Sequence, residues 1–258
     1  MLPALFISHG APDLAVDRGA AGRHLGELGS SLVHPKAIVI ASAHYEAPLA
    51  SIGAASHPAI LHDFAGFDPV LKTLRYAAPG DPELAQRMTQ MLAAADIPAW
   101  LDFQRGFDHG VWVPLLRMYP DADIPVVPLS VDRSAGAEAH WRLGLALAPL
   151  RAEGVLVIGS GAITHNLGEL AWNVPDAPPP EWARAFADWM VERLHAGDSE
   201  SVLDWARRAP HARRNHPTEE HLLPLFVAFG AAGPHARGRL LHRSWDRGAL
   251  AMDVLAFG

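Results

Sequence analysis

Short apolar runs alternate along this chain with longer stretches in which apolar positions recur at helical spacing. The alternation predicts an α/β fold: a central, mixed, mostly parallel sheet, largely buried and flanked by helices. Six runs read as strands, Leu2–Ser8, Ala37–Ala43, Ile124–Ser130, Val155–Gly159, Leu240–Arg243 and Ala249–Ala256. Helices are predicted over Pro82–Ala95, behind Asp81 as N-cap, and over Gly136–Arg151, which stops at Gly154. Two more are predicted over Glu181–Leu194, after the stiff loop Pro175–Pro180, and over Thr218–Phe229. Pro224 cannot donate to the carbonyl of Glu220, so the last of these should kink or begin irregularly close to His221. The apolar segment after His109 is also expected to be helical.

Composition narrows the function classes. The chain has 258 residues, half of them apolar and 19% charged, which suits a single domain over residues 1–258. A net charge of −7 argues against nucleic acid as a partner. No apolar run approaches the roughly 18 residues of a membrane span, and Leu2–Ile7 is too short for a secretory signal, so a soluble cytoplasmic protein is expected. There is no cysteine, which leaves nitrogen and oxygen as the only metal donors, and there are 15 histidines.

In open α/β sheets ligands collect at the carboxyl ends of strands. His9 ends the first strand, His44 the second, and His165 follows the fourth in GSGAITHN. Gly10, Gly159 and Gly161 beside them permit sharp turns or close backbone approach. The segment HPTEEH adds His216 and His221, five apart and therefore on different helical faces; we take His221 as the one facing the crevice. Glu219 and Glu220 could instead supply an oxygen ligand or simply favour the helix dipole. His109, between Gly106 and Gly110, could donate to an anionic substrate oxygen or cap a helix, and His62 beside Asp63 could border a pocket mouth or be buried against that carboxylate. The remaining eight, His24, His34, His57, His140, His195, His211, His235 and His242, are assigned to surface or packing. Neutral imidazoles from separate loops suit Fe(II), Zn(II) or Cu(II), and a surplus imidazole beside the metal, for which His165 is the candidate, can serve as base and then acid.

Seven motifs occur in order between positions 5 and 225: LFISHGAP, VIASAHYE, HDFAGF, GFDHGVWVPL, YPDADIPVVPLS, GSGAITHNL and PTEEHLLPL. Together they resemble the class III extradiol ring-cleavage dioxygenases of the 4,5-DOPA dioxygenase type. The resemblance implies metal ligation by His9, His44 and His221, with His165 as the acid–base residue and a fourth ligand in some states. It implies one divalent metal per subunit, Fe(II) for activity or Zn(II) as isolated, and a small aromatic diol and O2 as reactants. His109, His62 and Asp63 would line the substrate pocket, as would Tyr45, which stands where many members carry Trp. The wider superfamily uses two histidines and a glutamate, so Glu220 is the alternative third ligand. The competing readings are a zinc-dependent hydrolase on the same histidines and a non-catalytic binding protein of the same fold.

Overall fold

In the first strand, β1 (Ala4–Ser8), Leu5 and Ile7 enter one apolar cluster while Ala4 and Phe6 enter another. Both faces of the sheet are therefore covered, as a parallel sheet requires. The computed structural model describes residues 1–258. Its further strands are β2 (Ala37–Glu46), β3 (Ala50–Gly53), β4 (Ala99–Asp102), β5 (Val126–Val131), β6 (Val155–Gly161), β7 (Gly238–His242), β8 (Trp245–Asp246), β9 (Leu250–Ala251) and β10 (Val254–Phe257). Eight of them form one sheet in the order β4-β3-β5-β2-β6-β1-β10-β7, with β8 and β9 paired separately. The centre, β5-β2-β6-β1, is parallel throughout; β10 and β7 join it antiparallel on one side and β3 on the other.

Helices α1 (Ala20–Ser31) and α3 (His109–Met118) supply Leu25, Leu28, Val111 and Trp112 to one face. The other face is covered by α2 (Pro82–Ala94), α4 (Gly136–Leu147) and α5 (Glu181–Ala196), by three short turns α6 (Ser199–Leu203), α7 (Trp205–Arg208) and α8 (Ala212–Asn215), and by α9 (Leu223–Ala231). Every residue of α9 is buried, because it lies between the sheet and α4.

Four expectations change in detail. The short strands β3 and β4 carry too few residues for a pattern to emerge, and the amphipathic helix α1 is not among the predicted helices. The segment after Thr218 is not one long helix: α9 starts at Leu223 with Pro224 in its first turn, so His221 lies in the irregular entrance. The last expected strand is two, β9 and β10. They part at Asp253, whose buried carboxylate takes Arg243 and whose carbonyl accepts from Ser8. Finally, β2 runs past Ala43 to Glu46, with a register break against β5 after Ala41. His44 therefore sits inside an irregular strand rather than beyond its end.

Gly159 is where α9 meets the sheet: a Cβ there would stand 2.0 Å from the carbonyl of Pro224. Neither backbone can yield without moving helix or strand. Gly159→Ala is expected to lower stability by about 1–3 kcal/mol, the cost of overpacking, read as a lower urea midpoint at unchanged slope.

Candidate metal centre and active site

Four parallel strands deliver their carboxyl ends to one edge, and the histidines collect there. His9 follows β1, His44 lies in the broken end of β2, His165 follows β6, and His221 precedes α9. The Nε2 atom of His44 is 3.1 Å from that of His9 and 3.2 Å from that of His221.

The neighbours of His9 and His221 fix the tautomers of those two rings. Pro114 lies inside α3 and cannot donate to the carbonyl of Gly110, which accepts instead from the Ser160 hydroxyl. With its hydrogen so committed, Ser160 Oγ is free to accept from His9 Nδ1 at 3.0 Å. His221 Nδ1 donates to Glu220 Oε1 at 3.0 Å, and Thr218 Oγ1 donates to the same oxygen. Both Nε2 atoms are thus bare acceptors in the neutral rings, and His44 can donate to only one of them. At least one close contact is therefore left without a hydrogen bond. A cation relieves it: nitrogens about 2.0–2.1 Å from one ion and separated by 3.1 and 3.2 Å subtend roughly 95–105° there. That angle lies between octahedral and tetrahedral values. His9, His44 and His221 fit a three-nitrogen metal set.

Burial keeps these rings neutral. It lowers His9 and His221 well below the usual imidazole range, and it lowers His44 to about 3 and His165 to about 4. The His165 ring lies parallel to that of His221, centroids 3.4 Å apart and planes within 8°. Its backbone N–H is tied to the carbonyl of Asn215 at 3.0 Å. Its ring faces a cavity of about 160 Å³ lined by His44, His109, His221, Phe64, Phe67 and Leu170, with Leu167 and Trp172 at the exposed rim. An apolar cavity of ~150 Å³ takes up benzene, so this one suits a single aromatic ring.

A second network sets the far wall. Asp108 caps α3 by accepting from Val111 and also accepts from Ser42 at 2.6 Å, while Arg105 bridges Asp108 and the carbonyl of His44. His109, the first residue of α3, donates to Asp63 through its backbone and through Nδ1, each at 3.0 Å, which leaves Nε2 as its free nitrogen. Burial opposes ionisation of Asp63, but these bonds and the nearby imidazoles outweigh it and hold the carboxyl down to about 2.

These features agree with what the comparisons show. The family described as the catalytic LigB subunit of aromatic ring-opening dioxygenase matches residues 21–249. The chain belongs to that family. It is 42% identical to a 4,5-DOPA dioxygenase extradiol of Beta vulgaris over 98% of this chain and 95% of that protein. It is 40% identical to a protein of the same name from Escherichia coli K12, over 89% and 85% of the two chains. The crystal structure of an uncharacterised Escherichia coli K12 protein superposes with a TM-score of 0.84 at 33% identity, covering all of both chains. This aromatic ring-opening dioxygenase has no helix long and apolar enough to cross a membrane.

Not every expected residue borders the dioxygenase cavity. His44, His109, His165 and His221 line it, with the buried His9 ring behind them at centroid distances of 5.0, 5.5 and 5.6 Å from His44, His109 and His221, but Tyr45 does not reach it. Successive side chains of a strand alternate faces, so with His44 turned inward Tyr45 points to β3. There its hydroxyl meets Ser51 at 2.6 Å and its ring lies under Arg105 at 4.1 Å. His62 packs behind the wall against Phe64 and Trp112, and Asp63 stands one layer back, behind His109. Glu220, the alternative ligand, accepts from the outer nitrogen of His221, an arrangement common behind metal-bound imidazoles, and with His165 and His221 it also forms a second group of metal-capable atoms. Ser160, Trp172 and Arg247 went unread; Ser160 stood within a quoted motif, but nothing local marked the other two.

His216 is buried away from the cavity, donating from Nε2 to Ile163 at 2.7 Å and packed on Phe186 and Trp205. Burial lowers it to about 4, so the folded protein holds it neutral. Its contribution to stability is complete above the unfolded value near 6.5 and is lost as pH falls from there toward about 4. His216→Gln, which can still donate to Ile163, is expected to flatten the fall of unfolding free energy over this window by up to about 1.4 kcal/mol per pH unit, measured by denaturant titration.

Proposed function

We propose that this dioxygenase opens the ring of a catechol-type substrate, DOPA or a related catechol, with O2 at a single divalent metal held by His9, His44 and His221. The supporting observation is the meeting of three imidazoles, two of them anchored at Nδ1 and bare at Nε2, beside a cavity sized for one ring. The active metal is Fe(II), with Zn(II) able to occupy the same nitrogens on isolation. A redox metal held by these nitrogens would supply a shared site for diol and O2 and a path for electron density between them.

The chain's own groups do the rest. Phe64, Phe67 and Leu170 seat the ring and exclude water, orienting the diol edge toward the histidines. His165, neutral and without a protein partner for its ring, takes a hydroxyl proton from the diol and returns it as the ring opens. His109, steered by Asp63, presents Nε2 to a substrate oxygen. Cleavage falls beside the two hydroxyl-bearing carbons rather than between them, and the product is a ring-opened semialdehyde.

The decisive experiment is anaerobic loading with Fe(II), addition of a catechol and admission of oxygen. A yellow ring-opened product, absent from the Zn(II) form, is the expected result; ester or amide hydrolysis by the Zn(II) form with no catechol consumed by the iron form overturns the reading. His165→Gln should bind as much metal as the parent by elemental analysis yet lose turnover by on the order of 10²-fold or more. Alanine at His9, His44 or His221 should instead lose the metal.

A further inference from the structure

His9 and His221 are anchored at Nδ1 by Ser160 and Glu220, but the Nδ1 of His44 has no such bond. Without a metal, His44 is best paired with its proton on Nε2, from which it donates to the bare Nε2 of His9 or of His221. That is the wrong tautomer for ligation. A metal takes the lone pair at Nε2, so the proton must stand on Nδ1 and needs an acceptor there.

The group that Nδ1 faces is the carboxylate of Asp63, whose Oδ2 lies 3.9 Å away. The other oxygen, Oδ1, is committed to His109, taking its backbone N–H and its Nδ1 at 3.0 Å each, while Oδ2 accepts no hydrogen bond within the protein. The rings of His44 and His109 have centroids 3.9 Å apart, and Asp63 stands at the Nδ1 edge of both. Both sides of the gap are held in place. The amide of Leu61 donates to Phe107 at 2.7 Å and its carbonyl accepts from Trp112 at 3.1 Å, which pins the segment carrying Asp63 alongside the entrance of α3. The Cδ2 edge of His44 lies against Gly110, where a Cβ would stand 3.2 Å from it, so the Nδ1 edge is the one turned to Asp63. A gap of 3.9 Å is too long for a hydrogen bond, and a small turn of the carboxylate closes it.

We propose that Asp63 is a positioning residue for the metal centre: its Oδ2 accepts from His44 Nδ1, selects the ligating tautomer, and so joins a metal ligand to His109 through one carboxylate. The inference rests on the three-histidine metal set proposed above and gives Asp63 a role beyond its hold on His109.

The test is the zinc affinity of the parent protein, Asp63→Asn and Asp63→Ala, measured by competition with a chromogenic chelator. In Asp63→Asn the His109 N–H keeps the amide oxygen at the Oδ1 position, which turns the NH2 group toward His44 Nδ1; a donor there holds the ring proton on Nε2. Alanine removes the acceptor and the charge without imposing a donor. Affinity should fall in the order parent, Asp63→Ala, Asp63→Asn, with the asparagine variant weaker than the parent by about 10–100-fold. A merely structural role predicts the reverse order of the two variants, because asparagine keeps the shape of aspartate, and equal losses mark an effect of charge alone. Either result overturns the inference, as does a parent-like affinity in Asp63→Asn. Should Asp63→Ala fail to fold, heteronuclear NMR of the imidazole nitrogens in metal-free Asp63→Asn decides: His44 protonated wholly at Nε2 is expected, and a substantial Nδ1–H population overturns the inference. A parent protein that takes up no zinc, or zinc uptake undiminished in His44→Ala, sinks the three-histidine reading itself, whereas zinc bound through His44 with the wrong order of variants sinks this inference alone.

Discussion

Three imidazole nitrogens held 3.1–3.2 Å apart in a buried pocket cannot all be satisfied by one another, and the carboxyl edge of the sheet is organised around that unmet need. Burial forbids the simplest relief, protonation, because a charged imidazole there would be poorly solvated. The outer nitrogens of His9 and His221 are already committed to Ser160 and Glu220, so these rings cannot switch tautomer without losing a bonded partner. What remains is a cation shared at the centre. The folded chain therefore meets much of the cost of assembling a metal site in advance, and a preformed site binds without reorganisation.

The scaffold that sustains this arrangement is distributed. A proline in α3 frees one carbonyl, a serine on β6 uses it, and a histidine after β1 is oriented as a result. Asp108 caps the same helix while steadying the broken end of β2 through Ser42, so one carboxylate places both His109 and His44. At Gly161 a Cβ would stand 2.1 Å from the carbonyl of His221, and the amide of Ala162 donates to that carbonyl at 2.8 Å, which locks the entrance of α9 onto the sheet. Each side chain at the centre thus depends on backbone geometry in a different element, and small shifts in helix packing reach the ligands directly.

Around this polar floor the cavity walls are aromatic and aliphatic, and the contrast divides the labour. In the proposed reaction the apolar walls supply binding and dryness, while the neutral imidazoles supply ligation and a place for a proton. The His165 ring, stacked on that of His221, has no hydrogen-bond partner for either nitrogen, which suits the proton-carrying role proposed for it. Tyr45, with the same polar equipment, is spent on the packing of Arg105 and on Ser51.

The sheet, the major helices and the identity of the central histidines were legible in the sequence because their signals are local. A buried parallel strand shows as an apolar run, and a histidine or glycine just after it marks the ligand edge whatever the rest of the chain does. The irregular entrance of α9 was likewise announced by Pro224. Short edge strands such as β3 and β4 carry too few residues for a pattern to emerge, and the division of β9 from β10 follows from the partners of one buried aspartate. The inward turn of His44 and outward turn of Tyr45 follow from strand alternation, but only once β2 is seen to continue to Glu46. Which nitrogens converge, that Glu220 hydrogen-bonds the outer nitrogen of His221, and that Arg247 borders the cavity were decided by tertiary structure alone. Those facts depend on contacts between residues distant in the chain, and no local pattern of residues encodes such distances.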